Sequence, residues 1–236
     1  MKDARFLRAL LSAVRRSLRN RFYIIYGMRG TAPINPAFGA GVGTPVDRHY
    51  IVRFLNENAE LVKGTVLEVG GRSYTERHGT GVTRCDVLST VPSTETTFVG
   101  DLSSCPEIAD STYDCIILTQ VLNCIYDVRG AIGEVHRILR PGGSVLCTFP
   151  GISQVSRYDM ERWGDRWRFT SQSASELFGK AFGPRQVRIS TYGNAFSSIC
   201  FLQGIPAERL RQVKLDRWEP DYQLIIGVRA TKHADG

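Results

Sequence analysis

Residues 65–71, TVLEVGG, constrain the fold more than any other stretch of this chain of 236 residues. Four of the first five are β-branched or apolar, which predicts a short buried strand. Two glycines follow directly. Glycine permits a tight turn and lets a ligand approach the backbone closely, because it has no Cβ. The stretch therefore predicts a parallel strand that ends at a ligand-binding turn.

The rest of the chain alternates between strand and helix patterns. Strands are predicted over 65–69, 82–87, 96–99, 113–119, 144–149, 186–191 and 223–228, and helices over 47–61, 128–139 and 173–181. Residues 151–170 lack a clear period and are interpreted as a long functional loop. Such alternation specifies an α/β fold with a mostly parallel sheet and helices on both faces.

The formal net charge of +7 is concentrated at the N-terminus, where residues 1–21 hold seven basic side chains against one acidic side chain. The remainder is nearly neutral and gives no basic footprint for nucleic acid. Six cysteines include no Cys-x-x-Cys pair. Composition thus favours reduced thiols in a cytoplasmic protein and gives no support for a metal site, although a divalent metal stays open.

Three regions follow from these patterns. Residues 1–26 are predicted to form a basic amphipathic helix, too short in its apolar run to span a bilayer. This helix either docks on the domain or a partner subunit, or lies on anionic lipid at the inner membrane face. Residues 27–46 are a Gly/Pro-rich linker or flap, and residues 47–236 are the folded domain.

Several strand ends should converge on one cleft at the carboxyl edge of the sheet. Asp86 is expected at the end of the second strand, where an acidic side chain can accept hydrogen bonds from ribose hydroxyls. The GxGxxG fingerprint is absent, because residues 72–74 after the glycine pair are RSY. This spacing disfavours a nicotinamide dinucleotide and favours a ligand without phosphates.

The ordered set LEVGG at 67–71, Asp86, GDL at 100–102, YDCII at 113–117 and RILRPGG at 137–143 resembles class I S-adenosylmethionine-dependent methyltransferases of the type 11-like group. The resemblance covers roughly residues 45–230. Residues 163–170, WGDRWRFT, and 192–194, YGN, also resemble a bacterial branch often associated with glycan-modifying enzymes. The resemblance implies a Rossmann-like sheet of seven strands whose last strand is antiparallel, and S-adenosylmethionine as cofactor.

The resemblance also implies the cofactor contacts. It places the methionine part at the first glycine turn, the ribose at the second strand, the adenine at the third strand end and the transferred methyl beside the fourth. The residues so matched are Glu68, Val69, Gly70 and Gly71, then Asp86 and Val87, then Asp101 and Leu102, and finally Thr119, Gln120 and Val121. Residues 72–74 depart from the family, which usually has a further glycine there.

The loop at 151–170 is dense in aromatic and charged residues, a combination that suits a carbohydrate or another polar cyclic acceptor. Its candidate acceptor contacts are Tyr158, Trp163, Arg166 and Trp167. The alternative is a lid whose tryptophans pack over the cofactor. An alcohol acceptor usually needs a general base. The candidates are His49, His78, Tyr126 and Asp127, with surface side chains as the alternative.

The sequence therefore predicts methyl transfer to a small molecule, with O-methylation of a sugar or glycan precursor favoured, as in polysaccharide biosynthesis. Two alternatives stay open: a non-catalytic module of the same fold tethered to membrane or partner, and a C- or N-methyltransferase of a lipid or secondary metabolite. A homo-oligomer and membrane contact through residues 1–26 also stay open.

Overall fold

The computed structural model describes residues 30–234. The helix predicted over 1–26 lies outside this range. Seven strands form one sheet: β1 (Gly64–Val69), β2 (Val82–Ser89), β3 (Phe98–Val99), β4 (Tyr113–Thr119), β5 (Leu139–Pro150), β6 (Val187–Tyr192) and β7 (Ile225–Thr231).

The strand order is β3-β2-β1-β4-β5-β7-β6. Strands β2, β1, β4 and β5 are parallel, whereas β7 runs antiparallel to both β5 and β6. The predicted Rossmann-like sheet with an antiparallel last strand is confirmed. Strand order reverses beside β1, and such a switch point leaves a crevice at the carboxyl ends of the strands.

Seven α-helices cover the described part of the sheet: α1 (Val46–Glu57), α2 (Ser73–His78), α3 (Val128–Ile138), α4 (Arg157–Arg162), α5 (Ser171–Phe182), α6 (Ala195–Leu202) and α7 (Gln212–Leu215). The helix predicted over 47–61 ends at Glu57 and is followed by a 3₁₀ turn, Ala59–Leu61.

Four helices correct the sequence interpretation, the first of which is α2, in a stretch where no helix was predicted. Residues 151–170 contain α4 and are not wholly irregular, while α6 and α7 lie between the two last strands where no helix was predicted. A local signal for α6 was available, because Asn194 caps it by accepting a hydrogen bond from the Ser197 amide. Its sequence is apolar around most of its circumference, so it lacks the stripe that marks an amphipathic helix.

Each buried strand supplies two cores because successive side chains point to opposite faces. Leu67 and Ile116 pack with α3 and α5 on one face. Val66 and Ile117 pack with α1 on the other. With both faces covered, the free polar edge of the sheet is the carboxyl end of its strands.

Residues 30–45, which precede α1, form turns that dock on α6 and the segment after it. The Phe38 and Phe201 rings stack with centroids 5.3 Å apart. The Asn35 amide donates to the Gln203 carbonyl, and the Thr44 amide donates to the Glu208 carboxylate. These contacts fix the segment, here called the flap, over the carboxyl edge of the sheet.

Candidate active site

A cavity of about 990 Å³ opens at the carboxyl ends of the strands, between the flap and α4. Its floor consists of the residues that end or follow β1, β2, β4 and β5. Its walls come from the flap, from the start of α1 and from the segment 153–168. Ligand pockets typically have volumes of about 300–1,000 Å³, so this cavity has room for a nucleoside and a second small molecule.

The turn after β1 forms one end of the cavity. Gly70 has φ of +93°, and a Cβ there would meet no protein atom within 4 Å. The position is therefore left-handed and faces open space. Its amide donates to the Leu88 carbonyl, which ties the turn to β2.

The side chain of Glu68, in β1, holds the turn that follows this strand. Its carboxylate accepts hydrogen bonds from the amides of Tyr74 and Thr75 and from the Thr75 hydroxyl. Burial raises the pKa of Glu68, although the hydrogen bonds from Thr75 and Tyr74 pull it downward. The carboxylate thereby holds the first turn of α2 against β1, and Arg72-Ser73-Tyr74 continue into a helix without a third glycine.

Gln120, directly after β4, is strained and has a free donor. Its φ of +57° is unusual for a residue with a side chain, and its buried Nε2 has no hydrogen-bond partner among the described residues. It lines the cavity together with Thr119 and Val121. A buried unpaired amide costs free energy, which a bound ligand with an acceptor atom within reach of Nε2 would offset.

Asp101 and Leu102 line the cavity after β3, as expected. The Oδ1 atom of Asp101 accepts hydrogen bonds from the amide and the hydroxyl of Ser103, each at 2.8 Å. These bonds fix the carboxylate while leaving its second oxygen without a protein donor in the described chain. Leu102 is buried beside it and offers an apolar surface.

Asp86 does not lie at the end of β2, and this prediction is wrong. The strand continues to Ser89, and the carboxylate of Asp86 is buried within the sheet. It accepts hydrogen bonds from Tyr113 and Arg84. Neither Asp86 nor its neighbour Val87 lines the cavity, where Ser89 and Thr90 occupy the end of the strand instead.

The four predicted base candidates all lie away from the cavity lining. His49 faces Gln212 on the outside of α1. His78 is buried and contacts the Asn56 side chain through Nδ1, so it packs α2 against α1.

Tyr126 is 77% exposed and contacts the Trp167 ring. Asp127 caps α3 by accepting from the Gly130 amide. Each of the four side chains therefore has a packing, capping or surface role. The sequence does not separate these roles from catalysis, because polar residues such as aspartate are also favoured as helix caps.

The predicted acceptor contacts divide into two pairs. Tyr158 and Trp163 line the cavity, with ring centroids 5.8 Å apart. Arg166 and Trp167 do not line it. Trp167 donates from Nε1 to the Ile125 carbonyl, and the Arg166 guanidinium donates to the carbonyls of Cys124 and Trp163.

The segment 163–170 is held by a buried ion pair. Both carboxylate oxygens of Asp165 accept from Arg168, at 2.6 and 2.7 Å. Arg168 also donates to the Gln154 carbonyl, and Asp165 accepts from the Ser156 amide. Burial would raise the pKa of Asp165, but the hydrogen bonds from Arg168 and the Ser156 amide outweigh it and leave the pKa lowered. The WGDRWRFT motif thus positions the wall of the cavity.

The lining residues that the sequence analysis missed include Asp47 and Arg48, in the first turn of α1. The Arg48 guanidinium donates from Nη1 to the Tyr74 hydroxyl at 3.1 Å. Burial raises the pKa of Asp47 despite the nearby Arg48. Their only sequence signal was adjacency to Pro45 at the start of a helix, which indicates a helix boundary and not a binding site.

The lining residues fit S-adenosylmethionine. The bare Gly70 turn, the unpaired amide of Gln120 and the Asp101-Leu102 pair offer a close backbone approach, a donor, an acceptor and an apolar surface. S-Adenosylmethionine, a nucleoside with an amino-acid tail, can use each of these groups. It has no pyrophosphate, so the site needs no phosphate-binding residues for it. Among residues 30–234, no group of three or more His, Cys, Asp or Glu side chains could hold a metal ion.

Comparisons with known proteins support the enzyme class and the cofactor. Residues 76–147 match the family model of a methyltransferase domain, a segment that includes Asp101, Leu102 and residues 119–121. The predicted enzyme class and cofactor, an S-adenosylmethionine-dependent methyltransferase, are confirmed at this level. No protein in the curated set matches the chain.

Solved structures share the fold. A SAM-dependent methyltransferase from Archaeoglobus fulgidus has 12% identity and a TM-score of 0.53 over 78% of this chain and 94% of that chain. Haemonchus contortus phosphoethanolamine N-methyltransferase 2, in complex with S-adenosyl-L-methionine, has 15% identity and a TM-score of 0.53 over 78% of this chain and 52% of that chain. A possible histamine N-methyltransferase from Thermotoga maritima has 15% identity and a TM-score of 0.50, over 79% and 91%.

No helix within residues 30–234 is long and apolar enough to cross a bilayer.

Proposed function

We propose that the chain methylates an oxygen of a small polar acceptor, with a sugar or glycan precursor as the acceptor class. The observation that carries this proposal is the composition of the cavity wall that α4 and the residue after it, Trp163, supply. Tyr158 and Trp163 line it next to the charged side chains of Asp159 and Arg162. Aromatic faces stack on sugar rings, and carboxylate and guanidinium groups bond hydroxyls bidentately.

S-Adenosylmethionine, when bound, supplies a sulfonium methyl group. The chain's own residues then have to orient the acceptor and exclude water, which is most of the catalytic task in an in-line displacement. The wall is well suited to orientation, because the Asp165–Arg168 pair and the Ser156 cap hold it rigidly.

Asp159 is the proposed proton acceptor. It lines the cavity from α4, and its carboxylate has no hydrogen-bond donor among the described residues. Asp165, the other carboxylate that lines the cavity from the segment 153–168, is bound to Arg168. A hydroxyl of the acceptor would therefore find in Asp159 a free oxygen for its proton.

Calorimetric titration with S-adenosylhomocysteine and NAD tests the cofactor. We expect binding of the former only, weakened by Asp101→Asn and unchanged by Asp221→Asn, an exposed aspartate outside the cavity. A screen for transfer of a labelled methyl group to sugars, nucleotide sugars, lipid-linked sugars and amines tests the acceptor. Transfer to amines alone would overturn the sugar proposal. Absence of S-adenosylhomocysteine binding would instead favour the non-catalytic alternative.

A further inference from the structure

Arg48 lines the cavity, and most N–H donors of its guanidinium have no acceptor among the described residues. A guanidinium has five N–H donors. Within residues 30–234, the Tyr74 hydroxyl is the one acceptor bonded to this side chain. The Oδ2 atom of Asp47 lies 3.8 Å from Nε, beyond hydrogen-bond range. The side chain is thus anchored at one nitrogen and leaves its other donors for a ligand.

Asp47, next to Arg48, has a carboxylate oxygen that lacks a hydrogen-bond donor within residues 30–234. Its Oδ1 accepts from the Arg48 amide at 2.8 Å, while Oδ2 has no hydrogen-bond donor among the described residues. The side chain is only 15% exposed yet lines the cavity. A buried carboxylate without sufficient donors is costly. The pair therefore presents one open cationic group and one open anionic oxygen side by side.

The anchor shows which part of the cavity this pair serves. Tyr74, which holds Arg48, begins α2, and its amide is bonded to Glu68 of β1. Arg48 is thereby linked to the turn that follows Gly71. The acceptor wall belongs to a separate element, α4; the charge of its Asp159 acts on Arg48 and Asp47, but α4 makes no hydrogen bond to either side chain.

We propose that Arg48 and Asp47 bind the amino-acid end of the methyl donor, Arg48 its carboxylate and Asp47 its ammonium group. Adjacent opposite charges match a zwitterion, and a guanidinium can bind a carboxylate through two parallel hydrogen bonds. The inference rests on the proposed function, because it assumes S-adenosylmethionine as the donor. An anion on the acceptor is the competing source of the same chemistry.

Two nucleoside probes separate these sources. S-Adenosylhomocysteine carries the amino-acid tail, whereas 5′-methylthioadenosine lacks it. For Arg48→Ala we expect calorimetric affinity for S-adenosylhomocysteine to fall about tenfold or more, since hydrogen bonds to charged groups contribute about 1.5–3 kcal/mol. Affinity for 5′-methylthioadenosine should be unchanged. Asp47→Asn should show the same selectivity.

Arg53→Ala is the matched control, because Arg53 is on the same helix, pairs with Glu57 and lies outside the cavity. It should change neither affinity. An Arg48→Ala protein that binds both probes like the wild type would overturn the inference and leave the proposed function standing. Equal weakening of both probes would also overturn it, by showing a general packing role. Failure of the wild type to bind S-adenosylhomocysteine would overturn both proposals.

Discussion

Tyr113 donates its hydroxyl to the carboxylate of Asp86 at 3.0 Å, in the interior of the sheet. The two side chains belong to β4 and β2, so the bond passes over β1, which lies between them. Arg84 contacts the same carboxylate from the exposed side at 2.9 Å. Burial, followed by the nearby Asp86 carboxylate, raises the pKa of Tyr113. Asp86 is therefore saturated by the protein and braces the sheet.

Replacing Tyr113 with Phe removes this bond and leaves a buried carboxylate with one partner fewer. We expect the free energy of unfolding to fall by about 1.5–3 kcal/mol, the range for hydrogen bonds to charged groups. Urea unfolding measures the loss. Affinity for S-adenosylhomocysteine should be unchanged in the folded variant. A selective loss of affinity at unaltered stability would show that Asp86 serves a ligand after all.

Glu134 predicts a pH dependence of stability. Hydrogen bonds from Arg137 are the main reason that its pKa is lowered from 4.5 to about 2. A lowered pKa means that the folded state favours the charged form. The stabilisation is complete above the unfolded pKa of 4.5 and is lost as the pH falls towards 2.

The Glu134→Gln variant should therefore be less stable than the wild type by about 1–2 kcal/mol at pH 7. This difference should shrink between pH 4.5 and 2, as measured by urea unfolding across that range. Glu176→Gln is a suitable control, because Glu176 is exposed on α5. A constant difference at all pH values would contradict the charge-based explanation.

The sequence was sufficient for the sheet and for most of the strand-end residues that line the cavity floor, because both depend on local patterns. Buried strands appear as apolar runs, and Gly70, Asp101 and Gln120 come one or two residues after strands whose carboxyl ends meet at one edge of the sheet. The end of β2 was placed too early because the acidic residue Asp86 was taken to mark it. The strand in fact continues through Val87 and Leu88 to Ser89.

The acceptor side was harder to predict because it depends on tertiary packing. Trp163 and Trp167 are four residues apart in one motif, yet only Trp163 lines the cavity, while Trp167 donates to the Ile125 carbonyl. The backbone path of the segment 163–170, which the Asp165–Arg168 ion pair holds, determines which tryptophan faces the cavity. Similarly, Asp47 and Arg48 reach the cavity because the flap and α1 dock across the sheet, a contact that no local pattern encodes.

This difference between the two tryptophans is testable. Trp163→Ala should raise the KM for the acceptor by about two- to tenfold, because an aromatic contact is worth about 0.5–1.5 kcal/mol. Affinity for S-adenosylhomocysteine should stay the same. Trp167→Ala serves as the matched variant and should lower stability with little change in acceptor KM. Equal effects of both substitutions on KM would contradict the division of the motif.

Gln120 should show a conflict between stability and binding. Its φ of +57° strains any residue with a Cβ, and the left-handed conformation costs about 1–2 kcal/mol in non-glycine residues. Gln120→Gly removes this strain and the unpaired buried amide together. The free energy of unfolding should therefore rise by about 1 kcal/mol in thermal or urea unfolding, part of the gain being offset by the greater chain entropy of glycine.

The same substitution should weaken binding of S-adenosylhomocysteine, because the cavity loses its free amide donor. Gln120→Asn is the matched comparison: asparagine tolerates a positive φ and keeps a shorter amide, so it should retain more affinity than glycine. A glycine variant that is both less stable and unaltered in affinity would mean that the strain at this position has no connection with the ligand. The expected combination, higher stability with lower affinity, would indicate that the backbone at the end of β4 is held in an unfavourable conformation by the requirements of binding.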